Sequence, residues 1–277
     1  MSDDIRLKSI RADLQLAPTV LYLEGKTDPP VFFALLGREC PKSSIHNDVY
    51  VVGLKTQGSG GQEVRARLER ARREGLSGTL GQGGVFGVVD GDGRDLATLA
   101  AELDPPYPGP LFSWKAYCIE NLLARAAWPA AWGTVPSWPN VLGAYVPYAA
   151  LNRLHVELRR ALETLGLEKF RNPQTGQPLE SATGFKTALA KDKGVLAGRD
   201  VEAMFDREVS ALLGAIRRSV DEGHALINGK WLVRHHAAAA TNQSEDKCRE
   251  EWCEAVRLAG GIVEARDLWQ RITGSAP

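Results

Sequence analysis

The sequence predicts an α/β fold, with a Rossmann-like parallel sheet in the first half of the chain and a mainly helical carboxyl-terminal region. Two observations support this prediction. Short β-branched runs before residue 128 are each followed by a segment of helical period, which is the pattern of parallel βα units. Beyond residue 128 the periodicity is mostly helical. We therefore divide the chain into an α/β domain over residues 1–127 and a helical domain over residues 128–277.

Four strands are predicted in the first domain. Thr19-Val-Leu-Tyr-Leu23 is a short run of β-branched and apolar residues, and three further runs have the same character: residues 48–52, 85–89 and 111–114. The carboxyl ends of parallel strands meet at one edge of a sheet, and loops at that edge carry the chemistry of α/β proteins. Residues that directly follow these strands are therefore the first candidates for a functional site.

Helices are predicted between and after these strands. Asp28 fits an N-cap and Pro29 the first helical position, which predicts a helix that ends at Gly37. The other helices predicted in this domain span residues 62–75, which are rich in Arg and Glu, residues 96–103, and a stretch that begins at Ile119.

The helical domain opens with residues 128–147, where tryptophans and prolines predict a connecting segment. Four helices are predicted after it from their periodicity: residues 148–166, 199–222, 228–240 and 244–259. The chain is therefore expected to end in helices rather than in further βα units.

The charge balance restricts how this protein can hold a polyanion. The 277 residues include 34 basic and 34 acidic side chains, so the formal net charge is zero. No whole-molecule field attracts nucleic acid or an anionic membrane. Any polyanion must therefore be held by a local patch or through a metal ion.

The sequence also suggests a compartment. It contains no run of about 20 apolar residues of the kind that spans a bilayer, and its first residues lack the apolar core of a secretory signal. Four cysteines are scattered without a C-x-x-C pair, which favours reduced thiols over a disulfide framework. We expect a cytoplasmic protein without a membrane partner.

Acidic residues follow three of the four predicted strands. Glu24 closes the first strand, Asp90 and Asp92 close the third, and Glu120 follows the fourth. Carboxylates that meet at one edge repel each other unless a cation lies between them, and oxygen-only ligands favour Mg²⁺ or Mn²⁺ over zinc. A cation held in this way activates water and neutralises charge on a phosphate, which is the chemistry of phosphodiester cleavage.

Each acidic motif also has an ordinary structural explanation. A single acidic residue after a strand is more often a helix cap or a solvated turn than a metal ligand. The segment Asp90-Gly-Asp92-Gly does not fit an EF-hand, because a strand precedes it and the fifth and sixth loop positions are Arg94 and Asp95. The coincidence of this motif with Glu24 at another strand end favours the metal-site hypothesis.

These motifs resemble the signature of the TOPRIM domain, which topoisomerases, primases and OLD-family nucleases share. The likeness consists of Leu23-Glu24-Gly25 after the first strand and Val89-Asp90-Gly91-Asp92 after the third. The longer segment Glu24-Gly-Lys-Thr-Asp28 is similar to the OLD branch of that family. The resemblance covers the first 127 residues and implies a TOPRIM form of the Rossmann-like sheet.

Two further segments resemble small stand-alone TOPRIM proteins that are encoded beside ABC-type ATPases in phage-defence operons. Tyr117-Cys-Ile-Glu120-Asn121 is similar to one of their segments, and Asn228-Gly-Lys230 is similar to a glycine-lysine element near their end. By this likeness Lys230, in the helical domain, would offset negative charge on the cleaved phosphate.

The resemblance implies a role for each matched acidic residue. Glu24 would be a metal ligand or a general base, and Asp90 and Asp92 would be metal ligands. Asp28 and Glu120 would complete a second metal site. The implied cofactor is Mg²⁺ or Mn²⁺.

The TOPRIM effector of PARIS-type defence systems is the functional model, since this chain resembles it in size and in its helical carboxyl half. The resemblance implies a homodimeric nuclease that cleaves RNA, notably tRNA, in preference to DNA when a partner ABC-type ATPase senses a phage protein. A TOPRIM-shaped binding or sensor module that docks on the ATPase without cutting is the alternative from a different class. A primase or topoisomerase fits less well, because no zinc-binding module is present and little length remains for a strand-passage domain.

Four further residues are candidates for contact with the substrate: Lys55, Ser59, Arg65 and Arg234. Lys55 and Ser59 belong to a glycine-rich turn, which either presents backbone amides to a phosphate or is a plain flexible loop. Arg65 lies in the Arg/Glu-rich helix, where pairing with nearby glutamates is the alternative to phosphate binding. Arg234 follows Lys230 by about one helical turn and is either a substrate contact or an ordinary polar helix residue.

Overall fold

The computed structural model describes residues 2–54, 60–103, 110–132, 137–154, 200–240 and 244–277, with the backbone alone at 100–103, 129–132 and 235–240. Within these ranges five strands form one sheet: β1 Thr19–Leu23, β2 Ile45–His46, β3 Val49–Gly53, β4 Gly84–Val89 and β5 Leu111–Ser113. Their order in the sheet is β2-β3-β1-β4-β5.

Four of the strands are parallel. β1 pairs with β3 on one side and with β4 on the other, β4 pairs with β5, and the short β2 runs antiparallel to β3 at the sheet edge. In this register Leu23 lies opposite Gly53, and Val89 lies opposite Ser113. The carboxyl ends of the parallel strands therefore lie along one edge of the sheet.

Eleven helices can be bounded in the described part of the chain. They are α1 Asp3–Leu16, α2 Asp28–Leu35, α3 Gly60–Arg73, α4 Leu96–Leu103, α5 Ile119–Trp132, α6 Trp138–Gly143, α7 Val201–Arg218, α8 Val220–Leu226, α9 Gly229–Ala240, α10 Glu245–Leu258 and α11 Val263–Thr273. Residues 146–154 are also helical.

Both faces of the sheet are buried. Along β1, Leu21 and Leu23 belong to the core that includes residues of α2, α5 and the carboxyl-terminal helices, whereas Val20 and Tyr22 belong to the core that includes residues of α1 and α3. Successive side chains of a strand point to opposite faces. A strand covered on both faces is apolar throughout, which is why this run reads as a continuous apolar segment.

The carboxyl-terminal helices share their core with the sheet. α10 packs against α2 and α5, and Trp252 of α10 and Trp269 of α11 are fully buried. The ring centroids of Phe32, in α2, and Trp269 lie 6.4 Å apart. Within the described residues, the helical region is therefore packed onto one face of the sheet.

The predicted architecture, an α/β fold with a Rossmann-like sheet and a helical carboxyl-terminal region, is confirmed. The four predicted strands are present as β1, β3, β4 and β5. The helices predicted at 62–75, 96–103, from Ile119, at 228–240 and at 244–259 correspond to α3, α4, α5, α9 and α10.

The prediction of a connecting segment at residues 128–147 was wrong for most of these residues. Residues up to Trp132 continue α5, and Trp138–Gly143 form α6. The indole rings of Trp128 and Trp138 pack together with a centroid separation of 5.2 Å. Tertiary packing of these tryptophans therefore stabilises helices in a sequence whose prolines had suggested irregular structure.

Other differences have local causes. The helix predicted at 199–222 is divided, because Ser219 adopts an extended conformation and its side chain accepts a hydrogen bond from the N–H of Glu222 at the start of α8. α1 was not predicted, since Ile10 is its one buried residue and its sequence shows little helical amphipathicity. Nor were β2 and α11 predicted. Of the helix predicted at 148–166, residues beyond 154 lie outside the described ranges.

Among the described helices, none combines the length and the apolar character that crossing a bilayer requires. None of the four cysteines forms a disulfide, as predicted: Cys118 and Cys248 are buried, and Cys40 and Cys253 are partly exposed.

Candidate active site

The carboxyl ends of β1 and β4 place two acidic motifs side by side. Glu24 directly follows β1, and Asp90 directly follows β4, the neighbouring strand. Oε1 of Glu24 accepts a 2.8 Å hydrogen bond from the backbone N–H of Asp90. The Glu24 carboxylate therefore lies against the main chain of Asp90, and a specific hydrogen bond holds it there.

Two glycines allow α3 to begin directly against Glu24. A Cβ atom on Gly60 would lie 2.6 Å from the carbonyl oxygen of Glu24, and one on Gly61 would lie 2.7 Å from its Oε1. A side chain at residue 60 would collide with the backbone of Glu24, so glycine is required there, whereas one at residue 61 would displace the Glu24 carboxylate. The amino terminus of α3 thus lies beside the Glu24 carboxylate, where the helix dipole favours negative charge.

The prediction that Asp28 is the N-cap of α2 was wrong by one residue. Thr27 is the N-cap, Asp28 is the first helical residue, and Pro29 is the second. The side chain of Asp28 points back along the chain, where Oδ2 accepts a 2.7 Å hydrogen bond from the N–H of Gly25. A Cβ atom on Gly25 would lie 2.3 Å from Oδ1 of Asp28. The absence of a side chain at residue 25 therefore allows the buried Asp28 carboxylate to occupy this place.

The loop that carries Asp90 and Asp92 is held by backbone contacts. The N–H of Asp92 donates to the carbonyl of Tyr117 at 2.9 Å, and Arg94 donates to the carbonyl of Asp90 at 2.9 Å. Asp92 has a φ of 51°, in the left-handed region that costs a non-glycine residue about 1 kcal/mol. These contacts keep Asp92 near Glu24, on whose carboxylate its charge acts.

Glu120 and Lys230 approach the site from the helices. Glu120 is the second residue of α5, and its side chain is 3% exposed. Lys230 is the second residue of α9 and remains partly accessible to solvent. Although burial opposes it, the carboxylate of Glu120, together with those of Asp90 and Asp28, raises the pKa of Lys230 above its ordinary value. Lys230 therefore carries a positive charge at neutral pH.

The carboxyl groups of the site are destabilised in their charged forms. Burial raises the pKa of Glu24, Asp28, Asp90 and Asp92. The pKa of Asp90 lies well above its usual range, because this residue is buried and because Glu24, Asp28 and Glu120 repel its negative charge. Such a group retains protons unless a cation offsets its charge.

In this conformation, no three His, Cys, Asp or Glu side chains of the described residues are close enough together to ligate one ion. Two observations nevertheless suit a hard cation. The available donors are carboxylate oxygens, which Mg²⁺ and Mn²⁺ prefer, and Oε2 of Glu120 is buried without a hydrogen-bond partner. Glu24 and Asp28 each use one oxygen in the hydrogen bonds described above, which leaves a second oxygen on each carboxylate.

Asn121 links the two halves of the site, a role that sequence reasoning missed. Its Oδ1 accepts hydrogen bonds from the N–H of Cys118 at 3.1 Å and of Gly229 at 3.0 Å, and its Nδ2 donates to the carbonyl of Ile227 at 2.9 Å. Asn121 is fully buried. Because it follows Glu120 and holds the residue before Lys230, it fixes these two charged residues relative to each other.

Most of the basic stretch in α3 is paired. Four of its five arginines form ion pairs with glutamates: Arg67, Arg70, Arg72 and Arg73. Arg65 is exposed, has no ion pair among the described residues, and its charge acts on Asp92. Arg65 is therefore the arginine of this helix whose charge acts on an acidic residue of the site.

Three other residues were predicted to contact the substrate: Arg234, Lys55 and Ser59. The Nε of Arg234 lies 2.6 Å from Oε1 of Glu245, so this side chain bridges α9 and α10, which favours the structural alternative. Lys55 and Ser59 lie outside the described residues.

Arg249, in α10, was also missed by the sequence analysis. One of its Nη atoms lies 3.7 Å from Oε1 of Glu120, and its side chain is 18% exposed. Arg249 is one of many charged residues in α10, so the sequence does not indicate that it contacts Glu120.

Comparison with known proteins identifies no relative: no family model, no curated protein and no solved structure matches this chain. A functional assignment therefore rests on the chemistry of the site.

Proposed function

We propose that this protein is a metal-dependent nuclease that hydrolyses phosphodiester bonds of nucleic acid with Mg²⁺ or Mn²⁺. The observation that carries the proposal is the hydrogen bond between Glu24 and Asp90, which joins two acidic motifs 66 residues apart at one edge of the sheet. Asp28, Asp92 and Glu120 lie close enough for their charges to act on this pair. A divalent cation is the common means of stabilising such a group of carboxylates.

The residues of this site have the chemistry that the reaction needs. A bound Mg²⁺ or Mn²⁺ would neutralise charge on the phosphate and lower the pKa of an attacking water. Glu24, Asp90 and Asp92 would hold the ion. Glu24 would also orient the water and accept its proton, and its raised pKa favours that role near neutral pH. Lys230, which is protonated, would offset charge on the cleaved phosphate.

The resemblance to TOPRIM proteins of the OLD branch supports a more specific form of the proposal. The protein would be the toxic effector of an anti-phage defence system, a cytoplasmic homodimer activated through a partner ABC-type ATPase, with RNA, and tRNA in particular, favoured over DNA as substrate. The alternative is a non-catalytic TOPRIM module that docks on the ATPase. Buried carboxylates that repel each other favour the enzyme, because a docking surface has no need of them.

Cleavage assays with the purified protein test the nuclease proposal. Labelled tRNA, unstructured RNA and duplex DNA are incubated with Mg²⁺, Mn²⁺ or EDTA. We expect cleavage that requires the metal and that Glu24→Gln and Asp90→Ala abolish.

A matched control is available on the same loop. Asp95 is exposed and caps α4 by accepting the N–H of Thr98 at 2.7 Å, and asparagine caps helices equally well. Asp95→Asn should therefore cleave like the wild type. Cleavage in EDTA, or unchanged cleavage in the Glu24 and Asp90 variants, would contradict the proposal. Binding to RNA or to the ATPase without cleavage under any condition would favour the docking module.

A further inference from the structure

The guanidinium group of Arg249 lies beside the acidic site. Its Nη2 is 3.7 Å from Oε1 of Glu120, and the two side chains are 18% and 3% exposed. The charge of Arg249 also acts on Asp28. Arg249 is therefore a largely buried, permanently charged neighbour of two of the five carboxylates.

Packing fixes the position of Arg249. Its helix, α10, packs against α2, which begins at Asp28, and against α5, which carries Glu120. Trp252, one turn further along α10, is fully buried. α10 cannot move away without opening the hydrophobic core, so the backbone of Arg249 is fixed beside the site. Its guanidinium lies between Glu120 and the exposed Asp246, whose Oδ1 is 3.4 Å from Nη1.

The contact with Glu120 restricts which cations this carboxylate can hold. Nε of Arg249 and Oε2 of Glu120 are both buried and lack hydrogen-bond partners. A divalent ion on Glu120 would satisfy Oε2, but it would also stand close to the guanidinium group. Repulsion between two cations is strong where little water screens it.

The remaining three carboxylates have a different environment. Within the described ranges, Glu24, Asp90 and Asp92 form no ion pair with an arginine or lysine. The cation that acts most strongly on Asp92 is Arg94, followed by Lys230 and Arg65, both of which are accessible to solvent. The guanidinium of Arg94 donates to the carbonyls of Gly91 and Asp90. These three carboxylates therefore differ from Glu120, whose side chain forms an ion pair with Arg249.

We propose that Arg249 takes the place of a second metal ion at Glu120 and Asp28, so that the site binds one divalent ion, at Glu24, Asp90 and Asp92. This inference rests on the proposed function and deepens it. Arg249 neutralises Glu120 at every metal concentration, so the charge of this part of the site does not depend on metal supply.

Mn²⁺ titration of the purified protein, with free Mn²⁺ counted by electron paramagnetic resonance, tests the inference. Four proteins are compared: wild type, Arg249→Met, Arg249→Lys and Arg257→Met. Methionine keeps most of the side-chain volume without the charge, and lysine keeps the charge. Arg257 is the matched control, since it also lies in α10 but pairs with Glu254 at the surface. Circular dichroism establishes that each variant is folded.

We expect one bound ion for the wild type, Arg249→Lys and Arg257→Met, and two for Arg249→Met. Two ions on the wild type, or one on folded Arg249→Met, would overturn the inference. If Arg249→Met does not fold, the number of ions bound by the wild type is compared with that of Glu120→Gln. We expect one ion on each protein. Two ions on the wild type and one on Glu120→Gln would overturn the inference. If the wild type binds two ions and cleaves in a metal-dependent way, the inference about Arg249 is wrong but the nuclease proposal is not. If the wild type binds no ion and does not cleave, both the inference and the nuclease proposal are wrong.

Discussion

The backbone N–H of Asp90 donates a 2.8 Å hydrogen bond to Oε1 of Glu24. This bond couples the side chain of one acidic motif to the main chain of the other, so the end of β4 determines where the Glu24 carboxylate lies. Burial and repulsion from Asp92 and Asp28 raise the pKa of Glu24, although the hydrogen bond opposes the shift. The hydrogen bond therefore holds the Glu24 carboxylate in position, while its buried negative charge lowers the stability of the metal-free protein.

Glu24→Gln separates these two effects. Glutamine keeps an acceptor oxygen for the N–H of Asp90 but removes the buried charge. We expect cleavage to fall by at least about 100-fold, while the free energy of unfolding in EDTA rises because the buried charge is removed. Single-turnover cleavage and urea denaturation measure the two quantities. A variant that is less stable and cleaves normally would show that Glu24 has a structural role alone.

Gly25→Ala tests the position of Asp28 without changing its charge. The added Cβ would lie 2.3 Å from Oδ1 of Asp28, so the carboxylate must rotate away. We expect cleavage to fall by about 100-fold, the order that a misplacement of 1 Å produces, with the fold retained by circular dichroism. The control is Gly214→Ala, where the nearest atom lies 3.7 Å from the new Cβ within α7. Equal cleavage by both variants would exclude Asp28 from the site.

Asn121→Ala tests the link between α5 and the residue before Lys230. The change leaves the N–H of Gly229 and the carbonyl of Ile227 without their partner in a buried region. We expect the free energy of unfolding to fall by about 3 kcal/mol and cleavage to fall with it, even at temperatures where the variant is folded. Urea denaturation and cleavage at low temperature provide the measurements. The exposed Asn140→Ala serves as control, and a loss of stability without any loss of cleavage would limit Asn121 to a structural role.

His224 gives the folded protein a defined pH dependence. Burial, with the nearby charge of Arg125, lowers the pKa of His224 to about 3. Between about pH 3 and pH 6.5 the unfolded chain binds a proton at this residue and the folded chain does not, so stability falls as the pH falls through this window. The slope is at most about 1.4 kcal/mol per pH unit for one proton.

Comparison with His224→Gln isolates this contribution, because the raised pKa values of the site carboxylates act in the opposite direction and are present in both proteins. We expect the difference in unfolding free energy between wild type and variant to become less favourable to the wild type from pH 6.5 to pH 4. Parallel stability profiles over this range would show that His224 does not titrate on unfolding.

The acidic motifs could be found from the sequence because their signals are local. Glu24 and Asp90 directly follow short apolar strands, and parallel topology alone brings such strand ends together. The hydrogen bond between them and the reversed Asp28 side chain could not be predicted, since each depends on a glycine contact or a loop conformation that the pattern does not encode.

Arg249 and α1 show the opposite case. Arg249 lies in a helix with many charged residues, and its contact with Glu120 arises from the way α10 packs against α5. In α1 only Ile10 is fully buried, with Leu14 packed partly against the same core, so the apolar stripe of this helix is short and easily overlooked. Tertiary packing decides both features, and single-sequence periodicity carries little information about it.

Equilibrium binding of Mn²⁺ to the wild type and to Asp90→Asn tests the central claim most directly, because Asp90 is the most enclosed carboxylate of the proposed metal site. We predict saturable binding by the wild type that Asp90→Asn loses, with both proteins folded. Absence of saturable binding by the wild type, or equal binding by the two proteins, would contradict the account.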